Sequence, residues 1–474
     1  MSKSATGIHG FDDIAMGGLP TGRTTLLTGG PGSGKTVFAL QTLAYRARDC
    51  GEPGIFVAFE QDPATLRTDA ATFDWALSTL SESLLTFIDA RPNLNLVRVG
   101  DFDVGGMMAL LQARIEEIGA KVIVLDGIDI LLAQMSDPEV IRRELFRIQD
   151  WLSRAGVTAL ITCKSTISDP QFIGMPSLEF LQYMVDCSVM LNNDIIDDVS
   201  QRSLRIAKYR GSGFHGNAVP FLIGHGGIDV TLTHPVRSPL REILTERVSS
   251  GLADLDDMLL GGYMRSACIL LTGLPGTGKT TLCGAFVAAA CARGEKTLFV
   301  SFVSQPEEIV RNLRSVSIDL EPFIADGTLL IVSTRASIGS GETHLRSIRT
   351  IALDHGASCI VIDPLTALTS FVTRRTTPGV TERLIDWAKA EKRTLVCTGA
   401  NDSPERMTDP AMYQLTTIAD SWIHLSNIVH HGQHRRNLSI VKTRGSGHSS
   451  QLHEFVLSDD GLVLSDGQPD GVEA

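Results

Sequence analysis

The chain has 474 residues, of which 43% are hydrophobic and 20% charged, so it can form two or three globular domains and is not a disordered or collagen-like protein. No apolar run reaches the roughly 18 residues of a spanning helix and no secretory signal is visible, so we expect a cytoplasmic protein without a membrane span. The net charge of −12 excludes the broad basic surface typical of nucleic-acid-binding proteins. The eight cysteines form no CxxC pair, which favours small core residues in a reducing compartment over a metal site.

An internal repeat fills the chain. Residues 7–36 match residues 251–280 at a shift of 244, and the shift falls to 234 where KYRGSG (208–213) matches KTRGSG (442–447). A framework that keeps its order while its loops differ in length predicts two copies of one domain, which we place at residues 1–240 and 241–474. The segment 235–248 is the expected linker.

In the first copy, short apolar runs alternate with helix-length amphipathic segments. The runs TTLLTG, IFVAFE, VIVLD and TALITC are typical of buried strands, and residues 37–48, 63–80, 105–119 and 139–154 have helical periodicity. This alternation predicts an α/β domain whose mostly parallel sheet carries helices on both faces. After about residue 186 the runs CSVMLN, SLRIAKYRGSG, VPFLI and GIDVTL are separated by turns, which predicts a small antiparallel extension.

Each copy carries a glycine-rich phosphate-binding loop. Residues 29–36 (GGPGSGKT) and 273–280 (GLPGTGKT) both fit G-x-x-x-x-G-K-[ST] between a predicted strand and a predicted helix. The glycines let backbone N–H groups surround phosphate oxygens, the lysine reaches the β- and γ-phosphates, and the hydroxyl ligates Mg²⁺. We therefore expect ATP and Mg²⁺ as cofactors, with the nucleotide bound by Gly32, Ser33, Gly34, Lys35 and Thr36 in the first copy and Gly276, Thr277, Gly278, Lys279, Thr280 and Thr281 in the second.

An aspartate ends a short apolar strand in each copy. Asp126 and Asp363 hold this position, which suits the aspartate that binds the metal at the carboxyl end of a parallel strand in P-loop proteins. A turn aspartate is the bland alternative, and the repetition argues against it. The predicted metal ligands are Thr36, Asp126, Thr280 and Asp363.

Hydrolysis also requires a carboxylate that orients or deprotonates water. Glu60 ends the strand that follows the first P-loop helix, so we predict that Glu60 and Lys35 are the catalytic residues. Pro63 and Pro306 set the register between the copies and align Glu60 with Val303. Because valine cannot accept a proton, the two sites should be chemically unequal.

Two basic pairs precede the repeated Gly-Ser-Gly turn: Lys208 with Arg210, and Lys442 with Arg444. A solvated basic turn is one interpretation of each pair. The other is a cation that reaches a phosphate, across a subunit interface as an arginine finger does, and the repetition favours it.

Taken together, these motifs resemble the KaiC family, the cyanobacterial clock proteins and their relatives among the RecA-like ATPases, over nearly the whole chain. The resemblance implies two tandem RecA-like P-loop domains in a two-tiered homo-hexamer with ATP between subunits. It also implies a KaiB-like signalling partner. By the same resemblance, further nucleotide contacts come from a neighbour's Lys208, Arg210, Lys442 and Arg444, from Arg202 and Arg436, and on the base side from Ile223 and Asp459.

The chain departs from the clock proteins at three places. The family's paired glutamates correspond to Glu60-Gln61 in the first copy and to Val303-Ser304 in the second. Thr416 and Thr417 match the family's phosphorylation sites, but the glutamate pair that serves them is replaced. The chain ends soon after LSDDGLVLSDG, so we expect the tail that receives the clock partner KaiA to be missing.

Four functions are compatible with these features. We favour an ATPase that hydrolyses ATP mainly in the first copy, while the second binds ATP for assembly or regulation. The alternatives are a clock-type serine/threonine autokinase and autophosphatase acting on Thr416 or Thr417, a RecA-like DNA-dependent ATPase, and a non-enzymatic switch whose nucleotide state selects a partner. The acidic charge and the lack of a recognisable DNA-binding appendage argue against nucleic acid as a partner.

Overall fold

The computed structural model describes residues 2–91, 104–135, 137–164, 177–196, 198–231, 246–368, 378–400, 410–430, 433–458 and 461–465. These residues form two compact units: nearly all of those up to Thr231 belong to the first, and those from Glu246 onward to the second. Asp459 and most of the expected linker lie outside the described residues. None of the helices in the described ranges combines the length and apolar character that crossing a bilayer requires.

The first unit contains seven α-helices within the described residues. They are α1 (Phe11–Ile14), α2 (Lys35–Asp49), α3 (Pro63–Ala70), α4 (Val104–Ile118), α5 (Ile128–Leu132), α6 (Pro138–Ala155) and α7 (Ser177–Met184). Its strands are β1 (Lys3–Ser4), β2 (Leu19–Pro20), β3 (Thr24–Gly29), β4 (Gly54–Ala58), β5 (Leu85–Asp89), β6 (Val122–Asp126), β7 (Thr158–Lys164), β8 (Cys187–Ile196), β9 (Val199–Tyr209), β10 (Val219–Gly224) and β11 (Gly227–Val230).

The second unit has a similar order of elements. Its helices are α8 (Ala253–Met258), α9 (Lys279–Ala292), α10 (Pro306–Arg314), α11 (Glu321–Ala325), α12 (Gly341–His355), α13 (Pro378–Ala390) and α14 (Pro410–Ile418). Its strands are β12 (Arg247–Val248), β13 (Tyr263–Met264), β14 (Cys268–Gly273), β15 (Thr297–Ser301), β16 (Leu329–Ser333), β17 (Cys359–Asp363), β18 (Thr394–Gly399), β19 (Ser421–His430), β20 (Gln433–Thr443), β21 (His453–Ser458) and β22 (Gly461–Ser465).

Each unit is built on a nine-stranded sheet with the same strand order. The order is β5-β4-β6-β7-β3-β8-β9-β10-β11 in the first unit and β16-β15-β17-β18-β14-β19-β20-β21-β22 in the second. In the first unit, the six neighbouring strands β5, β4, β6, β7, β3 and β8 pair in parallel. Strand β10 pairs antiparallel with β9 and β11. The predicted mostly parallel sheet with an antiparallel extension is therefore confirmed in both copies.

Helices cover both faces of each sheet, as the alternating pattern predicts. Successive residues of a strand point to opposite faces. Leu27 packs in a core with Phe38 of α2, whereas the preceding Leu26 packs in a second core with Leu111 of α4 and Leu145 of α6. The second unit has the same two layers, one containing α9 and the other α12, α13 and α14.

Two elements are shorter than the sequence predicts. The helix expected over 63–80 ends at Ala70, because Phe73 stacks on Trp75 and the Trp75 indole N–H donates to the carbonyl of Gly226 at 3.1 Å. These contacts hold the chain beside β11 and interrupt the helical path. The strand before Glu60 ends at Ala58, so Glu60 lies in the loop that follows β4.

Candidate functional site

The first glycine-rich loop connects β3 to α2 at the carboxyl end of the sheet. Gly32 and Gly34 have φ values of 68° and 94°, which only glycine adopts readily, and α2 begins at Lys35. Lys35 Nζ donates to the carbonyls of Gly29 and Gly30 at 2.8 and 2.9 Å. Burial lowers the pKa of Lys35, and the nearby carboxylate of Asp126 opposes that shift.

Asp126 ends β6 directly beside this loop. Its carboxylate accepts hydrogen bonds from Thr36 Oγ1 at 3.2 Å and from Thr162 Oγ1 at 2.6 Å. Burial raises the pKa of Asp126, while the hydrogen bonds from Thr162 and Thr36 act in the opposite direction. The structure therefore brings together Thr36 and Asp126, the two metal ligands predicted for this unit.

The second unit has an equivalent loop. Gly276 and Gly278 have φ values of 82° and 101°, and Lys279 Nζ donates to the carbonyls of Gly273 and Leu274 at 2.7 and 2.8 Å. Burial lowers the pKa of Lys279 as it does that of Lys35.

The predicted metal ligands of the second unit also meet. Thr280 Oγ1 donates to Asp363 at 2.7 Å, and Thr398 Oγ1 donates to the other oxygen of the same carboxylate. Thr281 lies in the first turn of α9. The phosphate-binding geometry is therefore alike in the two units.

The loops differ at two positions, Gly30/Leu274 and Ser33/Thr277, and the second of these changes a hydroxyl side chain. Ser33 Oγ is buried and has no hydrogen-bond partner among the described residues, whereas Thr277 Oγ1 donates to the carbonyl of Leu274 at 2.8 Å. Buried hydroxyls are normally hydrogen-bonded, so Ser33 offers a free polar group inside the loop.

The strand register confirms that Glu60 and Val303 occupy equivalent positions. Ala58 lies opposite Asp126, and Ser301 lies opposite Asp363, so each residue in question follows its strand by the same two positions. Glu60 Oε1 accepts a hydrogen bond from Lys164 Nζ at 2.8 Å. Val303 is 60% exposed. A carboxylate thus lies beside the strand-end aspartate in the first unit, and an apolar side chain lies at the same place in the second.

Sequence reasoning missed Thr162 and Lys164, which lie on β7 between β3 and β6. Thr162 binds Asp126, and Lys164 lies opposite Gly29 at the start of the phosphate-binding loop. The threonine could have been found from the sequence. TALITCK in the first copy aligns with TLVCTGA in the second, and both segments have a threonine at the fifth position. Both segments also form the strand next to the one that ends in the aspartate. The lysine has no such signal, since Ala400 replaces it.

Two arginines from the antiparallel extension contact the loops of their own units. Arg202 Nε donates to the carbonyl of Gly32 at 3.3 Å, and Arg436 Nε donates to the carbonyl of Gly276 at 3.2 Å. A Cβ built on Gly34 would lie 2.9 Å from Ile223 Cδ1, so Ile223 also lies against its loop. Asp459, the other predicted base-side residue, lies outside the described residues.

The basic pairs lie elsewhere. Lys208 donates to the carbonyls of Gln182 and Tyr183 at 2.8 and 2.9 Å, and Arg210 also donates to the carbonyl of Tyr183, at 2.7 Å. These carbonyls end α7, where cations are favoured by the helix dipole. Within the chain the first pair therefore caps a helix and makes no hydrogen bond to its own loop among the residues that the structure describes.

The second basic pair caps α14 in the same way. It contacts the backbone of Thr416 and Thr417, the two threonines that match the family's phosphorylation sites. Lys442 Nζ donates to the carbonyl of Thr416 at 2.6 Å, and Arg444 donates to that of Thr417. The hydroxyls of both threonines donate back to the carbonyl of Tyr413, at 2.8 and 3.0 Å. Thr416 is buried and Thr417 is exposed.

The donor set around each loop fits magnesium. No cluster of three or more His, Cys, Asp or Glu side chains able to hold a metal occurs in the part of the chain that the structure describes. A metal would instead rest on one aspartate and one threonine in each unit. Mg²⁺ is commonly bound in this way, since it keeps several waters and takes further oxygens from phosphates.

A parallel sheet whose glycine-rich loop precedes a helix, with a strand-end aspartate bonded to the loop threonine, defines a P-loop nucleotide-binding protein. The family model described as "ATPase: KaiC" matches residues 4–234 and 248–468. The chain therefore belongs to the KaiC ATPase family and contains two tandem KaiC repeats.

Several relatives of the chain are circadian clock proteins. The circadian clock protein KaiC2 of Synechocystis sp. is 35% identical over 98% of this chain and 81% of its own length. The circadian clock oscillator proteins KaiC of Parathermosynechococcus lividus and Prochlorococcus marinus are each 33% identical over 98% of this chain, and over 85% and 93% of their own lengths.

Proposed function

We propose that this KaiC-family ATPase hydrolyses ATP mainly in its first repeat, residues 1–240, and binds ATP in its second repeat, residues 241–474, for assembly or regulation. The observation that carries the proposal is the contrast between Glu60 and Val303 at equivalent positions beside similar loops. Both repeats keep the phosphate-binding lysine and the threonine–aspartate pair. Only the first has a carboxylate at this position to activate water.

Both loops suit a bound nucleotide and its metal. In the first repeat, the buried Ser33 hydroxyl, which has no hydrogen-bond partner among the described residues, offers a donor to a phosphate oxygen. Thr36 and Asp126 would hold Mg²⁺, and Thr280 with Asp363 would hold it in the second repeat. When bound, Mg²⁺ neutralises charge on the phosphate oxygens.

In the first repeat, two side chains then have different roles in hydrolysis. Lys35 supplies positive charge to the terminal phosphates, and Glu60 accepts the proton of the attacking water. A positioned general base contributes roughly 10²- to 10⁴-fold to rate. The second repeat retains the charge through Lys279 but has no base at Val303, so it should hold ATP far longer than it hydrolyses it.

We further propose that the nucleotide sites are completed between subunits of a homo-hexameric ring. Lys208 and Arg210 are bonded to the end of α7 rather than to the loop of their own unit. These bonds use two of the three N–H donors of the Lys208 ammonium and two of the five of the Arg210 guanidinium, so donors remain for a neighbour's phosphates. Lys442 and Arg444 would act in the same way in the second repeat. The names of the relatives, which are circadian clock proteins, support a signalling role, and for this role we propose a KaiB-like partner.

The autokinase alternative has weaker support. Thr416 is buried, and the hydroxyls of Thr416 and Thr417 are both engaged by the carbonyl of Tyr413. Neither Val303 nor Ser304 supplies a carboxylate base. Phosphoryl transfer to these threonines would require α14 to release them first.

The test is steady-state ATP hydrolysis by the full chain carrying Glu60→Gln, with Val303→Ala as the matched control. We expect Glu60→Gln to lower kcat at least 100-fold while both repeats still bind a fluorescent ATP analogue, and Val303→Ala to leave kcat within about 2-fold. Intact-mass spectrometry after incubation with Mg-ATP should show an unmodified chain. Hydrolysis by Glu60→Gln at the rate of the unaltered protein would refute the assignment to the first repeat.

A further inference from the structure

We infer that Lys164 is a positioning residue for ATP hydrolysis in the first repeat, one that holds the Glu60 carboxylate at the mouth of the nucleotide site. The inference rests on the proposed function, because it assigns a partner to the proposed base. It concerns a residue that has no equivalent in the second repeat, where Ala400 follows β18.

The contacts of Lys164 place its ammonium between two carboxylates. Nζ lies 2.8 Å from Glu60 Oε1 and 4.0 Å from Asp129 Oδ2. The backbone N–H of Lys164 also donates to Asp129 Oδ1 at 3.2 Å, so Asp129 anchors the residue at the end of β7. The hydrogen bond to Glu60 raises the pKa of Lys164, as expected for an ammonium that is paired with a carboxylate.

Glu60 is thereby held beside the phosphate-binding machinery. Its Oε2 would lie 3.7 Å from a Cβ built on Gly127, the residue that follows Asp126. Lys164 in turn lies opposite Gly29, where the loop begins. The ion pair therefore joins the loop after β4 to the end of β7 across the carboxyl end of β6, and it fixes the Glu60 carboxylate on the side of the sheet where a γ-phosphate would end.

The same three positions are uncharged in the second repeat. Val303 replaces Glu60, Ala400 replaces Lys164, and Thr366 stands where the first repeat has Asp129. The whole charged group is thus present in the repeat assigned to hydrolysis and absent as a unit from the other. Loss of the base alone would not require the loss of its two neighbours, so the pattern indicates that the three residues act together.

A purely stabilising role does not account for this ion pair. The side chains of Lys164 and Glu60 are 37% and 45% exposed, and ion pairs at that exposure contribute little to stability. Orientation is a different matter, since a displacement of about 1 Å in a catalytic group can lower rate on the order of 100-fold. A loop residue such as Glu60 has no secondary structure to orient it, and Lys164 on the end of a strand supplies that orientation.

The first test compares Lys164→Met and Lys164→Arg in the full chain, with Arg154→Met as the matched control. Arg154 pairs with Asp150 on the surface of α6, so its loss removes one cation at an exposed ion pair away from the loop. We expect Lys164→Met to lower kcat about 10- to 100-fold with KM for ATP changed less than 3-fold. Lys164→Arg should recover most of kcat, and Arg154→Met should leave it unchanged. An unchanged kcat for Lys164→Met would overturn the inference.

The second test separates action through Glu60 from any direct role. Glu60→Asp shortens the side chain by one methylene, which withdraws the carboxylate from Lys164 but leaves a measurable rate. In that background Lys164→Met should lower kcat by less than 3-fold, because the contact is already lost. The same fold-loss in both backgrounds would show that Lys164 does not act through Glu60. Normal hydrolysis by Glu60→Gln would instead refute the proposed function itself, which the Lys164 series alone does not do.

Discussion

Replacing Thr162 by valine should expose how much the first site depends on one hydroxyl. Thr162 Oγ1 donates to Asp126 at 2.6 Å and accepts from the backbone N–H of Gly127 at 2.8 Å. Thr162 is 1% exposed and Asp126 is 5% exposed, so water does not replace either bond. Valine has nearly the shape of threonine, and the change therefore removes the two hydrogen bonds with little change in packing.

The loss in unfolding free energy is estimated from the two groups that valine leaves without a partner, the Asp126 carboxylate and the Gly127 N–H. A hydrogen bond to a charged group contributes about 1.5–3 kcal/mol, and a buried N–H without a partner costs about 1–3 kcal/mol. Together these give a loss of about 3–5 kcal/mol in the unfolding free energy of the first repeat. Asp126 would also lose one of the bonds that orient it toward Thr36, so the affinity for Mg²⁺ in the presence of nucleotide should fall about 10-fold or more.

Thr28→Val is the matched control, because Thr28 lies on the adjacent strand β3, is buried, and has a hydroxyl with no hydrogen-bond partner among the described residues. Hydrogen exchange followed by mass spectrometry measures the opening free energy of each repeat separately. We expect Thr162→Val to lower it by several kcal/mol in β6 and β7 and Thr28→Val to change it by less than about 1 kcal/mol. Equal effects of the two substitutions would refute the reasoning.

Two further predictions concern acid stability and the subunit interface. Burial alone would raise the pKa of Glu295, but hydrogen bonds from Arg265, Arg293 and the Cys359 thiol outweigh it and lower the pKa to about 2 from 4.5. Its contribution is therefore present above pH 4.5 and is lost as the pH falls toward 2. Glu295→Gln should lower the denaturant-measured unfolding free energy by about 2–3 kcal/mol at pH 7 and by less at pH 3.5, and an equal loss at both would contradict this. If sites are shared between subunits, inactive Lys35→Ala and Arg210→Ala chains mixed in equal amounts should recover about a quarter of the hydrolysis rate by random assembly, and an inactive mixture would contradict sharing.

Much of the fold follows from patterns that are local in the sequence. The phosphate-binding loops are specified by glycines whose positive φ values no other residue adopts easily, as Gly34 and Gly278 show. Period-two and helical periodicities predict the α/β class, and the repeat allows one copy to check the other. The alignment of Glu60 with Val303 could be predicted in this way, because both follow a buried strand by the same number of residues.

Other features depend on contacts between residues far apart in the chain. The helix predicted over 63–80 has a helical pattern, but the tertiary contact of Trp75 with Gly226 ends it early. The basic pairs gave no indication that Lys208 would bond to the carbonyls that end α7. Periodicity describes which face of an element is apolar; it does not describe which elements become neighbours.

The sequence by itself determined that the chain has two phosphate-binding repeats and that one of them lacks the glutamate. Only the tertiary structure decided what surrounds that glutamate. β7 follows β6 in the chain but inserts between β6 and β3 in the sheet, and this order brings Thr162 to Asp126 and Lys164 to Glu60, 104 positions away. Strand order is set by how all the helices and strands pack together, so no single segment of sequence contains it.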